Sequence, residues 1–164
     1  MKKLLVLDID ETLLYSTYEN LKRKPDFLFN ERKVYLRPHL FEFLDYCFAN
    51  FEVAVWTSSK SDYAKFILRN ILPDNSKLKF LWTRKDCKKK FLFNGFFKEI
   101  KYVKDLQQIK GYRIDEIIII DDTPQNIIPL ENILQIEEYR GVQNDDALIL
   151  MIQKLKQNKC IETL

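Results

Sequence analysis

Five short apolar runs punctuate the chain, and each ends at polar or acidic residues. Leu4-Leu5-Val6-Leu7 stops at Asp8, Phe51–Trp56 at Thr57-Ser58-Ser59, Leu78–Trp82 at Thr83, and Ile117–Ile120 at Asp121-Asp122; Ile133–Ile136 is the fifth. None alternates with polar positions. Runs of four to six residues without regular polar alternation are what strands covered on both faces look like, which predicts a parallel sheet. Between the runs lie helical patterns at Leu40–Ala49, Ser61–Ile71, Lys104–Lys110 and Asp145–Gln157. Pro38 suits the first turn of the first, Ser59 or Ser61 could cap the second and Asn144 the fourth, while Pro73 and Gly111 mark helix ends. Strand–helix alternation of this kind predicts an α/β sandwich built on a five-stranded parallel sheet.

Two segments depart from the alternation. Tyr15–Tyr35 is polar and then briefly aromatic, and predicts a small extended insert after the first strand. Phe91–Phe97 carries Asn94-Gly95, a pair that accepts the positive backbone angles of a tight hairpin turn. At 164 residues, with no repeat, linker or low-complexity tract, the expectation is one domain spanning residues 1–164.

Composition narrows the chemistry by exclusion. No apolar stretch approaches the roughly 18–20 residues that cross a bilayer, and Asp8 and Asp10 interrupt the N-terminal apolar run at once, so a cytoplasmic protein with no membrane partner is expected. The three cysteines, Cys47, Cys87 and Cys160, are widely spaced. They suggest neither a disulfide framework nor a zinc site, and Val53 and Phe93 stand where a cysteine phosphatase would need arginine. A single histidine, His39, leaves no histidine-cluster chemistry, and three glycines leave no P-loop or dinucleotide fingerprint. The net charge is +3, with basic residues concentrated at Lys22-Arg23-Lys24, Arg84-Lys85 and Lys88-Lys89-Lys90. Such runs are either a solvated surface or an attraction for an anionic partner, a phosphopeptide or a nucleic acid.

The polar residues with chemical potential fall beyond the carboxyl ends of different strands, the edge where open α/β sheets bind ligands. Asp8 and Asp10, separated by one residue, can face a common cation, and Asp121-Asp122 would complete an oxygen-only cluster of the kind that holds Mg²⁺. So many like charges would repel one another without a cation. Each residue alone has a plainer role: acids and Thr57 as caps or turn formers, Lys104 as a surface lysine. All of these would have to hold together at strand ends.

These residues resemble a known family. Asp8-x-Asp10-x-Thr12 is similar to the first motif of haloacid dehalogenase phosphatases, and Leu7–Leu14 as a whole resembles the branch of RNA polymerase II C-terminal-domain phosphatases, also called NLI-interacting-factor-like phosphatases. Tyr35-Leu36-Arg37-Pro38-His39 with Glu42-Phe43-Leu44 resembles the segment before that branch's second strand. Val55–Ser59 with Tyr63-Ala64, Tyr102–Leu106 and Ile119–Pro124 resemble its second, third and fourth motifs. The match runs from Leu4 to about Leu130, with a weaker echo in Asp145–Ile152.

The resemblance implies a haloacid-dehalogenase-like, Rossmann-like three-layer sandwich and a Mg²⁺-dependent phosphatase. In that reading Asp8 is the nucleophile and Asp10 the general acid and base, its carbonyl also on the metal. Thr12 steadies Asp10 and its loop. Thr57 and Ser58 hold phosphate, and Lys104 pairs with the nucleophile and the transferring phosphoryl group. Asp122 is the side-chain metal ligand with Asp121 beside it, and the two are not separable from sequence.

Neither inter-motif segment is long enough for a large cap, so the site should be open and suited to a bulky substrate. Phosphoserine or phosphothreonine in protein is the expected substrate. The alternatives are a phosphorylated nucleic-acid end, a small phosphorylated metabolite, or phosphopeptide binding without turnover. Tyr15–Lys33, where substrate-recognising residues would be expected, matches the branch poorly.

Overall fold

The computed structural model describes residues 2–72, 78–95 and 97–160 of the chain. In chain order the first half comprises β1 (Leu4–Leu7), β2 (Leu14–Thr17), β3 (Phe27–Phe29), β4 (Arg32–Leu36), α1 (Leu40–Asn50), β5 (Glu52–Trp56) and α2 (Ser61–Ile71). The second half comprises β6 (Leu78–Trp82), β7 (Lys88–Asn94), β8 (Phe97–Asp105), β9 (Ile117–Asp121), β10 (Ile127–Ile128), β11 (Ile133–Gln135) and α3 (Ala147–Cys160).

The predicted sheet forms as a five-stranded parallel sheet in the order β11-β9-β1-β5-β6. β1 is central. Leu7 pairs with Val55 on one side and with Ile120 on the other, so the residues that follow these three strands emerge together at one edge. All four residues of β1 are buried because the sheet is covered on both faces. Leu5 and Leu7 face a core with Phe43, Ile67, Leu68, Leu148 and Met151 from the three helices. Leu4 and Val6 face a second core with Trp56, Leu106, Ile109, Ile119 and Ile127. That second layer is thin: the turn Leu106–Gln108 and the strands around it stand where α/β folds more often place a helix.

The helix expected over Lys104–Lys110 does not form. Lys104 and Asp105 end β8, which pairs antiparallel with β7 along its length and parallel with β10 at Ile127 and Ile128; a single 3₁₀ turn follows. The hairpin expected around Asn94-Gly95 is present, with Gly95 at φ +63°, but it is longer than its sequence signal and carries Lys104 to the sheet edge. Phe96 lies outside the described residues.

The small insert after β1 is an antiparallel sheet in the order β2-β4-β3. Its hairpin turns at Asn30, φ +53°, a residue type that tolerates left-handed backbone. Phe27 and Phe29 pack edge-on or tilted against Phe66 and Tyr63 of α2. The insert is thereby bound to the helix that opens the site, and among the described residues no large cap domain is present. Among the described residues no helix is long and apolar enough to cross a membrane.

Arg37 fastens several of these parts. Its buried guanidinium makes two bonds to Asp145, at 2.8 and 3.0 Å, and donates to the carbonyls of Thr12 at 3.0 Å and Glu137 at 2.9 Å. Asp145 Oδ1 also accepts the N–H of Ala147 at 3.1 Å, so Asp145, rather than the expected Asn144, stands at the start of α3.

Candidate active site

Four strand ends converge at the carboxyl edge of the parallel sheet. Asp8 follows β1, Thr57 follows β5, Asp121 ends β9, and Lys104 arrives from β8. The chain turns sharply after Asp8: Leu13 N–H donates to Ile9 O at 2.8 Å, Glu11 N–H to Leu14 O at 2.8 Å, and Glu11 takes φ +58°. This turn keeps Asp8, Asp10 and Thr12 close to the edge of the sheet.

Lys104 is the hub. Its ammonium lies 2.5 Å from Asp8 Oδ1 and 2.6 Å from Asp121 Oδ2, and all three side chains are buried. Burial works against the ammonium, but the two carboxylates outweigh it and hold the Lys104 pKa above its ordinary value. Two carboxylates sharing one ammonium leave a net negative charge away from water. Accordingly burial, aided by Asp121 and Asp10 and opposed by Lys104, raises the Asp8 pKa well above the usual carboxylate range.

Asp122 and Asp121 differ in what they have left to offer. Both oxygens of Asp121 are engaged: Oδ2 with Lys104, Oδ1 with Thr123 N–H at 2.8 Å and Thr123 Oγ1 at 2.9 Å. Asp122 has a long 3.4 Å contact from Thr12 Oγ1, and burial with the nearby Asp121 pushes its pKa up to about 6. Carboxylate oxygens of Asp8, Asp121 and Asp122 all lie within 4.8 Å of one another. Three carboxylates this close, with no nitrogen or sulfur ligand among them, fit a hard divalent cation.

The Asp10 carboxylate is not part of that cluster. It accepts hydrogen bonds from Ser59 Oγ at 2.7 Å and from Tyr63 OH at 2.6 Å. Ser59, expected as a helix cap, instead holds Asp10; Lys60 occupies the N-cap position of α2 without a side-chain cap bond. Thr12, expected to steady Asp10, directs its hydroxyl to Asp122 while its carbonyl is gripped by Arg37. Thr57 is buried, and its hydroxyl oxygen accepts the Ser59 N–H at 3.0 Å, leaving the hydroxyl hydrogen to donate; Ser58 is exposed at the mouth. The structure brings Asp8, Lys104, Asp121 and Asp122 together, ties Thr12 to Asp122, and links Asp10 and Thr57 to Ser59, while Ser58 is tied to Arg84 through its carbonyl. Sequence reading missed Ser59 and Tyr63 as the partners of Asp10, although two hydroxyl residues four apart, where a strand end becomes a helix, are a readable signal for one shared face.

Glu11, beside this cluster, is a further acid whose pKa burial and the charges of Asp10 and Asp122 push up to about 7.

The comparisons with known proteins agree with this geometry. The family model for NLI interacting factor-like phosphatases matches residues 3–162. A CTD phosphatase-like protein of Invertebrate iridescent virus 3 is 33% identical over 189 residues, covering 99% of this chain and 96% of that protein. CTD small phosphatase-like protein 2 of Dictyostelium discoideum is 31% identical over 166 residues, covering 96% of this chain and 28% of that protein. Phosphatase PSR1 of Saccharomyces cerevisiae is 32% identical over 164 residues, with 94% and 36% covered. The chain thus spans nearly all of the viral relative and a minor part of the two cellular ones. Among solved structures, fission yeast RNA polymerase II CTD phosphatase Fcp1 bound to beryllium fluoride superposes with a TM-score of 0.65 at 15% identity, over 96% of this chain and 50% of that one. A further Fcp1 structure gives 0.59 at 17% identity, over 99% and 49%. These superpositions speak to fold, and the sequence matches speak to family: the chain belongs to the NLI interacting factor-like phosphatases, the branch of the haloacid dehalogenase superfamily that its strand-end motifs resemble.

Proposed function

We propose that this protein is a magnesium-dependent phosphomonoester hydrolase that works through a covalent phosphate on Asp8, with phosphoserine or phosphothreonine in protein as its substrate. The observation that carries the reading is Lys104 bridging Asp8 and Asp121 at the strand edge while Asp10, two residues from Asp8, is held apart by two hydroxyl donors.

Asp8, Asp122 and the backbone carbonyl of Asp10 would hold Mg²⁺, with Asp121 beside them serving mainly to position Lys104. The bound ion supplies positive charge that draws electron density from the phosphoryl oxygens and relieves repulsion among the acids. An Asp8 oxygen attacks phosphorus, forming an acyl phosphate as the bond to the leaving oxygen breaks. Asp10 gives its proton to that oxygen, so the product departs as a neutral hydroxyl. Asp10, now a carboxylate, takes a proton from the water that attacks the Asp8 phosphate; inorganic phosphate leaves and Asp8 is restored. Ser59 and Tyr63 keep Asp10 aimed through both halves. Thr57 and the Ser58 N–H hold phosphoryl oxygens, and Lys104 offsets the charge that gathers on them.

The absence of a large cap favours a substrate that itself fills the mouth, and the relatives named as CTD phosphatases support a protein substrate. Phosphate release from an aryl phosphate, with and without Mg²⁺, compared between the unaltered protein and Asp8→Asn, tests the chemistry. Metal-dependent turnover lost in the variant is expected, and full activity in the variant would overturn the role of Asp8. A panel of phosphopeptides, nucleotides and 3′-phosphorylated oligonucleotides tests the substrate class; preference for nucleotides or oligonucleotides would overturn it.

A further inference from the structure

Beside Asp10 lies a cleft of about 320 Å³ whose walls include Ser59 and Tyr63, the two donors that hold the Asp10 carboxylate. The rest of the lining brings together three cations, Arg32 from β4, Lys60 at the start of α2 and Arg84 from the turn after β6, with Asp62 as the one acid. A second opening of about 300 Å³ shares Lys60 and Arg84 and continues to Lys85, Lys89 and Tyr102 with no acidic residue in its lining. Among the described residues none of Arg32, Lys60 and Arg84 is paired with a carboxylate.

The two arginines are positioned by contacts that leave donors over. The Arg32 guanidinium lies 5.3 Å from the Tyr18 ring centre and 5.9 Å from that of Tyr63, with a long 3.4 Å bond to Ser16 Oγ. Arg84 is clamped to the loop expected to hold phosphate: its backbone N–H donates to Ser59 O at 2.9 Å and its Nε to Ser58 O at 2.6 Å, while its guanidinium lies 4.9 Å from the Tyr102 ring centre. The terminal nitrogens of Arg84 remain, in the planar fork that matches a carboxylate or a phosphoryl group. Three cations against one acid, Asp62, give this polar concavity a net positive potential beside the reaction site.

We infer that this cleft is a second anion subsite, which selects protein segments carrying an acidic group, a carboxylate or a second phosphoryl, next to the phosphate being removed. The inference rests on the phosphoprotein reading above and deepens it. A segment that delivers its phosphate to Asp8 passes Ser59 and Tyr63, and a residue flanking the phosphorylated one then enters the cleft. Arg32 lies over the rings of Tyr18 and Tyr63 and Arg84 over that of Tyr102, so these ring faces carry a cation instead of being left for a base to stack on, which favours a peptide over a nucleic-acid strand here.

The test is kcat/KM for three forms of one phosphoserine peptide, with neutral flanks, with glutamate flanks, and with a second phosphoserine, measured on the full chain with Mg²⁺. An acidic flank is expected to raise kcat/KM about tenfold, as one desolvated charge pair would, and the gain should shrink as salt is added. In the double variant Arg32→Gln with Lys60→Gln the ratio of acidic to neutral peptide should fall toward one, while Lys154→Gln, on the far helix, keeps it. Because the ratio is taken within each variant, a general loss of activity does not mimic the effect. Equal gains from glutamate and phosphoserine would assign the subsite to any anion, and a larger gain from phosphoserine would assign it to phosphate. Equal kcat/KM for neutral and acidic peptides, a preference that survives in the double variant, or preference for a 3′-phosphorylated oligonucleotide over every peptide would overturn the inference. A protein that hydrolyses aryl phosphate but ignores the flanks fails this inference alone. Should no phosphate be released from any substrate, the same comparison made as peptide binding to Asp8→Asn decides it separately from the proposed chemistry.

Discussion

Tyr63 donates a 2.6 Å hydrogen bond to Asp10, a residue on another element and 53 positions away in the chain. The phenol belongs to the first turn of α2 and is steadied from behind by Phe29 of the insert, its ring centre 5.2 Å away. The general acid of the proposed reaction is thus aimed by a helix, and the helix residue by the insert. Replacing Tyr63 with Phe keeps the ring packing and removes the bond. The expected result is a fall in kcat of about tenfold with KM little changed, since geometry rather than substrate contact is lost. Steady-state kinetics with an aryl phosphate check this; a change confined to KM would assign Tyr63 to substrate binding instead.

Lys104→Met removes the cation from between Asp8 and Asp121 and leaves two buried carboxylates without a counter-charge. Without metal the variant should lose about 3–5 kcal/mol of stability, the usual result of deleting one member of a buried pair. Added Mg²⁺ should restore part of the loss. Thermal melts in chelator and in Mg²⁺ would show it, and equal melting temperatures for variant and unaltered protein in chelator would refute it.

Asp122 and Glu11 take their protons more readily in the folded chain than in an unfolded one, with pKa values pushed up to about 6 and about 7. The folded state therefore binds more protons than the unfolded state between the ordinary carboxylate range and those values, so stability falls as pH rises through that window. In chelator the melting temperature should climb by a few degrees between pH 8 and pH 5. Saturating Mg²⁺ should flatten the climb by supplying the positive charge that the protons otherwise supply. A metal-free melting temperature that falls steadily on acidification over the same interval would contradict this.

Arg37→Ala breaks four bonds at once, to Asp145 twice, to Thr12 O and to Glu137 O. The expected cost is about 3–5 kcal/mol, with the charge of Asp145 left unanswered. Arg113, in an exposed pair with Asp115, serves as the contrast: Arg113→Ala should leave the melting temperature unchanged. Urea titrations of both variants would separate a structural clasp from a surface pair.

The parallel sheet was legible because strands covered on both faces have no polar side to show, and its site was legible because each run stops at the residues that do chemistry. The bounds of α2 follow from the sequence for a similar reason: its apolar stripe is clear and Pro73 follows. Lys104–Lys110 was misread because the local pattern is equally good for a turn of helix, and what decides the matter is pairing with β7 and β10, tens of residues away in one case. The fork from Arg37 to Asp145 is out of reach for the same reason, and the spacing of Ser59 and Tyr63 marks a shared face without naming Asp10 as what it meets. Ser59 has a respectable local use as a cap, and no local rule announces a partner 108 residues distant.

The central place of β1 also orders the loosening of the molecule. Its neighbours on both sides are themselves flanked, by β6 beyond β5 and by β11 beyond β9, so the outer strands can fray while the Asp8 N–H stays bonded to Ile120 O at 3.1 Å. The amides around the nucleophile would then be among the last to exchange with solvent deuterium, opening only when the whole sheet opens. Reactivity is thus anchored in the strand that the rest of the sheet shields on both sides.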